Sequence, residues 1–170
     1  FTMKKILFAL FCLTSIAINA QDLVIPTFLE KWENSKNYLL EIAEAMPEDK
    51  YNFKPTERQM EFRKQLIHIR ENMLWLSHSY FTEKEVPKED LSTKNKAALL
   101  KSITEGFDTV TEIIKHTKPE ELGTTVEFFA GPKTKLQILN LLQDHVTHHR
   151  GQLLVYLNLN EIKPPRFIGW

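Results

Sequence analysis

The side chains of this chain that can do chemistry gather near its C-terminal end. The string Asp144-His145-Val146-Thr147-His148-His149-Arg150-Gly151-Gln152 holds three of the six histidines. Histidines four residues apart in a helix share a face, and neutral imidazoles are good ligands for divalent metals. His145 and His149 belong to the row Ile138, Leu142, His145, His149, Gln152 and Tyr156, at steps of four and three. At about 100° per residue, these six positions fall on one narrow helical face. Two imidazoles and an amide thus stand where a core would take Leu or Ile. Burying a polar group without a partner costs on the order of 1–3 kcal/mol, so the pattern needs a reason. The spacing leaves three readings open: a shared metal ion, imidazoles satisfied by cross-helix hydrogen bonds or water, or an inward face that lies elsewhere. His148 falls about 80° off the row and is expected on the flank or surface.

A third metal ligand must come from another helix. His68 sits in the middle of the second apolar segment and can reach mid-bundle depth. Periodicity does not favour it, because it lies about 120° from the centre of that segment's apolar stripe. Its own row is Gln65, His68, Asn72, Trp75 and Ser79, which reads equally as a solvated flank. His78 and His116 fall near segment ends and are expected on the surface. His145-Val146-Thr147-His148-His149 lacks the glutamate of H-E-x-x-H, so a zinc-peptidase mechanism has no support. No G-x-S-x-G, P-loop or Rossmann glycine pattern occurs.

The elements that must position these residues are helical. Four segments carry apolar residues at three- and four-residue steps. They run from about Pro26 to Met46, Arg58 to Phe81, Lys94 to His116 and Thr134 to Asn160. Pro26 suits a first turn, Pro47 marks an end, and Ser92 or Thr93 is the expected cap of the third segment. Tyr51-Asn52-Phe53-Lys54-Pro55 makes a loop after the first helix, and Thr124 to Phe129 allows a short extended piece. Gly151 in mid-helix costs about 1 kcal/mol relative to Ala, which suggests close approach of another backbone. Four long segments with narrow apolar stripes predict an all-α four-helix bundle.

The chain has 170 residues, with 22 basic and 22 acidic side chains, enough for one domain and with no basic excess to suit nucleic acid. Residues 3–20 combine Lys4-Lys5, the apolar run Ile6 to Leu13 and Ile18-Asn19-Ala20 before Gln21. That is the pattern of a secretory signal peptide, too short for a comfortable membrane span. Phe1 and Thr2 read as a remnant upstream of it, and residues 21–170 as a single mature domain. Cleavage removes Cys12, the only cysteine, which excludes disulfides and thiolate chemistry from the mature domain. It also leaves two more acidic than basic side chains. The expected location is periplasmic or secreted, with no membrane contact once the leader is removed.

The Asp144 to Gln152 string, followed by Tyr156-Leu157 and Pro164-Pro165, resembles the DinB superfamily, including YfiT-like proteins regarded as metal-dependent hydrolases. Gln65-Leu66-Ile67-His68-Ile69 and Tyr51 to Pro55 fit the same resemblance, which covers residues 28 to 169. It implies an up-down-down-up four-helix bundle with a divalent metal held by His68, His145 and His149. Three imidazoles on Zn²⁺ or Ni²⁺ leave a coordination position open, the arrangement of a catalytic rather than a closed structural site. Hydrolysis of an unknown small molecule is the expected chemistry. Gln152 and Asn72, each one turn from a histidine, are candidates for orienting water or substrate. The alternatives are a non-catalytic metal or small-ligand binder, or a thiol-dependent S-transferase as among some relatives; export disfavours the latter, because the thiols concerned are cytoplasmic. The resemblance also implies a homodimer, through Trp75 or the tail residues Phe167, Ile168 and Trp170.

Overall fold

The computed structural model describes residues 23–86 and 88–170. The leader assigned to residues 3–20, with Cys12, lies outside the described residues. Four helices dominate: α1 Val24–Ala45, α2 Phe62–Phe81, α3 Lys96–Lys115 and α4 Lys135–Leu159. Between α3 and α4 a two-stranded antiparallel ribbon, β1 Thr125–Val126 and β2 Lys133–Thr134, supplies the short extended piece. Single turns of 3-10 helix occupy Glu48–Lys50 and Pro119–Gly123.

Local hydrogen bonding sets the helix ends. The second segment was expected from about Arg58, but α2 begins at Phe62. The loop before it takes the first-turn donors: Phe62 N donates to Phe53 O at 2.9 Å and Arg63 N to Tyr51 O at 2.8 Å. Tyr51 itself is buried, and its hydroxyl donates to Ala43 O at 2.8 Å near the end of α1. The cap of α3 is Asn95, whose Oδ1 accepts from Ala98 N at 2.9 Å. Ser92 and Thr93 do not cap it; Ser92 is held in a turn by Asp90, its amide and hydroxyl donating to Oδ1 at 2.9 and 2.7 Å. At α4, Thr134 and Gln137 form a reciprocal capping box. Its far end closes on Glu161 at φ 60°, with Ile162 N donating to Leu157 O at 3.0 Å, the Schellman arrangement with Glu in the left-handed position.

Cross-helix contacts give the topology. Trp32 Nε1 donates to Phe107 O at 3.2 Å, and Lys96 Nζ to Met46 O at 3.2 Å, so α1 and α3 run antiparallel. Arg70 Nε donates to Ser102 O at 3.2 Å and Met73 Cε lies 3.0 Å from where a Cβ on Gly106 would be, so α2 and α3 run parallel. Ser35 bonds Gln143 while Tyr38 stacks under Arg150, so α1 and α4 also run parallel. Gln65 meets Gln152, and His68 meets His145, so α2 and α4 are antiparallel. The result is an up-down-down-up bundle. Each of α1 and α2 packs on both α3 and α4, which puts α2 and α4 side by side.

The core between them is apolar and closed. Trp32, Leu39, Ile42, Leu66, Ile69, Ile103, Phe107, Val110, Val146 and Leu153 are all fully buried. Each such side chain contributes roughly 1.5–3 kcal/mol relative to exposure. Gly151 does not behave as expected: it is exposed, and a Cβ there would meet nothing within 4 Å. The close approach is at Gly106 instead, against the side chains of Met73 and Arg70.

Candidate metal centre

The α2–α4 seam carries the histidines. His68, His145 and His149 each offer one ring nitrogen, and these three atoms lie within 4.8 Å of one another. His68 Nε2 and His145 Nε2 are 3.1 Å apart. Ring centroids are separated by 4.9 Å for His68–His145, 4.7 Å for His68–His149 and 4.5 Å for His145–His149. Two nitrogens at 2.0–2.1 Å from one tetrahedral ion stand about 3.3 Å apart, so this donor set fits a divalent ion with little movement. The same approach of His68 and His145 also has the geometry of an imidazole–imidazole hydrogen bond.

The expected α4 row is present but lies along an edge. The centre of the buried face is Leu139, Leu142, Val146, Leu153 and Leu157, while His149 and Tyr156 are buried and His145 and Gln152 are half-buried beside α2. His68 reaches the cluster because the α4-facing edge of α2 is not the centre of its apolar stripe. A helix with two neighbours buries a wider face than one stripe shows, and His68 is half-buried accordingly.

Sequence reasoning gave Gln65 no role, and the structure puts it at the centre of a polar network. It is 1% exposed, and its Oε1 accepts from His149 Nδ1. That bond places the His149 proton on Nδ1 and leaves Nε2 with its lone pair free. Such outer partners fix the tautomer and orientation of a ligating histidine. The amide is held from behind: Gln65 Nε2 donates to Gln152 Oε1 at 2.6 Å and approaches Tyr156 Oη at 3.4 Å. Tyr156 Oη in turn donates to Met60 O at 2.8 Å. The available sequence signal was an amide one turn before His68 and another one turn after His149.

The other histidines separate from the site. His148 is exposed, and its Nε2 accepts from Gln152 Nε2 at 2.9 Å. His116 is exposed as expected. His78 is not on the surface: it is 6% exposed, because the loop after α2 folds over it and its Nδ1 bonds Lys84 O at 3.0 Å. Gln152 faces Gln65 and His148, and Asn72 Oδ1 is buried without a hydrogen-bond partner. His145 Nδ1 is likewise buried and unpartnered.

Electrostatics keep His145 and His149 in their ligating form. Burial, then the neighbouring imidazoles, lowers the pKa of His145 to about 3. The same causes, burial first, lower His149 to about 4. Both are neutral at physiological pH, as metal ligation requires.

A four-helix bundle with a three-histidine cluster on one helix–helix seam defines the class. The family model of the DinB family matches residues 18–167, and the chain belongs to that family. Two solved structures share the fold. A DinB-like protein from Bacillus subtilis superposes with a TM-score of 0.69 at 22% identity, over 83% of this chain and 96% of its own. A DinB-like protein from Bacillus cereus ATCC 10987 gives 0.72 at 17% identity, over 83% and 95%. No curated protein matches the chain.

Proposed function

We propose that this chain is an exported, metal-dependent enzyme of hydrolase type, with Zn²⁺ or Ni²⁺ held by His68, His145 and His149. The observation that carries the reading is the convergence of three imidazole nitrogens, within 4.8 Å of one another, at a half-buried seam. An ion held there by three protein ligands supplies a Lewis acid and renders water nucleophilic near neutral pH. The chain's own contribution is orientation. Gln65 holds His149 from Nδ1, and Gln152 and Tyr156 hold Gln65.

A groove of about 350 Å³ beside α4 mixes apolar Phe128, Ile138 and Leu141 with polar Lys133, Gln137, Asn140 and Asp144, and none of the three clustered histidines lines it. Gln152 and Asn72 are the polar candidates for orienting a small-molecule substrate, and no nucleic acid is expected as partner. The leader pattern of residues 3–20 supports a periplasmic or secreted location, and among the described residues no helix is long and apolar enough to cross a membrane.

The second reading is a non-catalytic metal or small-ligand binding protein, favoured because, among the described residues, the clustered donors include no carboxylate to act as general base. Elemental analysis of untagged protein, followed by turnover assays on small ester, amide and phosphoester substrates, separates the readings. Bound metal with turnover lost in His145→Ala supports the enzyme. Bound metal with no turnover on any class supports the binder, and absence of metal overturns the enzyme and the metal binder, leaving only a binder of small ligands.

A further inference from the structure

The α2–α4 seam is a ladder of rungs. Gln65 faces Gln152, with Nε2 to Oε1 at 2.6 Å, and His68 faces His149, with ring centroids at 4.7 Å. Moving three residues along α2 moves the contact three back along α4, as antiparallel helices require. Extending that register by a step of four assigns Asn72 to the rung of His145, with no hydrogen bond between them. These are the two residues of the seam that carry a buried side-chain atom without a partner: Oδ1 of Asn72, an acceptor, and Nδ1 of His145.

Metal binding changes what those atoms need. While His145 Nε2 and His68 Nε2 share a hydrogen bond at 3.1 Å, one of the two carries the proton. Were His145 to ligate through Nε2, its proton would have to reside on Nδ1. Ligation would therefore fix a buried N–H donor at an atom that has no hydrogen-bond partner in the structure. A buried donor left unpaired bears its full desolvation penalty.

We propose that Asn72 is the positioning residue of His145: its Oδ1 accepts from His145 Nδ1–H in the metal-loaded protein and fixes Nε2 towards the ion. The inference rests on the three-histidine reading of the metal centre. It makes the seam symmetrical in function, with one amide of α2 behind each α4 ligand: Gln65 behind His149, Asn72 behind His145. This role replaces the substrate-orienting one for which Asn72 was a candidate, and Asn72 then supports the metal from outside its ligands.

The test uses zinc and the full mature chain. Affinity is measured by competition with a chromophoric chelator, and the His145 tautomer by ¹⁵N-edited NMR of the ring. Zinc-loaded wild type is expected to show His145 protonated on Nδ1, with that proton slow to exchange. Asn72→Leu is expected to bind zinc ten- to a hundredfold more weakly, the usual scale for losing such a partner. Asn72→Asp, which keeps an acceptor in place, is expected to restore most of the affinity. Zinc binding unaffected by Asn72→Leu, or a fast-exchanging Nδ1 proton in loaded wild type, would overturn the role of Asn72 alone. Failure of wild type to bind zinc would overturn the metal reading with it. If Asn72→Leu does not fold, the wild-type exchange measurement and Asn72→Asp still decide the matter.

Discussion

At the level of single residues, adjacent histidines have opposite fates. His149 is buried with Nδ1 bound to Gln65, whereas His148 one position earlier is exposed and bound to Gln152. His149→Ala should therefore remove most of the bound metal, and His148→Ala should leave occupancy close to wild type; equilibrium dialysis with metal analysis reads both. Protonation follows the same geometry. The pKa values of about 3 for His145 and about 4 for His149 lie below the unfolded value near 6.5, so the unfolded chain takes up protons first. In metal-free protein their contribution to stability is complete above about pH 6.5 and falls as pH drops towards 4. Urea midpoints at pH 7 and pH 5 should show the loss, and both rings should still titrate as neutral at pH 5 by NMR. The sequence made His145 and His149 legible because apolar spacing exposes a polar intruder. His68 and Gln65 were not legible from their own helix. Their row looks solvated until a second neighbouring helix covers it, and only the motif resemblance singled out His68.

The helices themselves were readable to within a few residues, because their apolar steps are long and regular. What the pattern missed were ends set by contacts distant in sequence or by side-chain caps. The start of α2 is fixed by carbonyls of Tyr51 and Phe53, and that of α3 by Asn95 rather than Ser92 or Thr93. Asn95→Ala should cost about 1 kcal/mol, the usual value of an N-cap. One position in α4 and one just beyond its C-terminal end depart from what helix chemistry prefers. Gly151 is exposed with open space around its missing Cβ, so Gly151→Ala should stabilise the protein by up to about 1 kcal/mol. Glu161 holds a φ of 60° that glycine adopts freely, and Glu161→Gly should add roughly 0.5 kcal/mol or more. Chemical denaturation of each variant measures these differences; a destabilised Gly151→Ala would contradict the open space at that position.

For the whole molecule, the aromatic surface is unevenly spent. The tail returns to α1, where Trp170 Nε1 donates to Glu30 at 3.1 Å and Phe167 meets the Tyr38 ring edge-on at 6.4 Å. Trp75 stacks on Phe128 at 6.3 Å, and Phe129 beside it is 82% exposed. An apolar patch of this kind commonly marks an interface, and a homodimer through the Trp75–Phe129 face is the proposed assembly. Light scattering at micromolar concentration should give twice the monomer mass, reduced to one in Phe129→Asp; a monomeric wild type would remove the proposal. Export is tested separately, by the N-terminus of protein recovered from its native host, which should be at or near Gln21.

The metal centre ties these scales together, since one ion would cross-link α2 to α4. The most direct measurement is crystallographic anomalous scattering at the zinc or nickel edge, on untagged protein purified without chelator. The account predicts one peak on the α2–α4 seam, with nitrogens of His68, His145 and His149 each at about 2.0–2.1 Å. No peak at that seam, or one held by other side chains while the three imidazoles keep their hydrogen bonds, would contradict it.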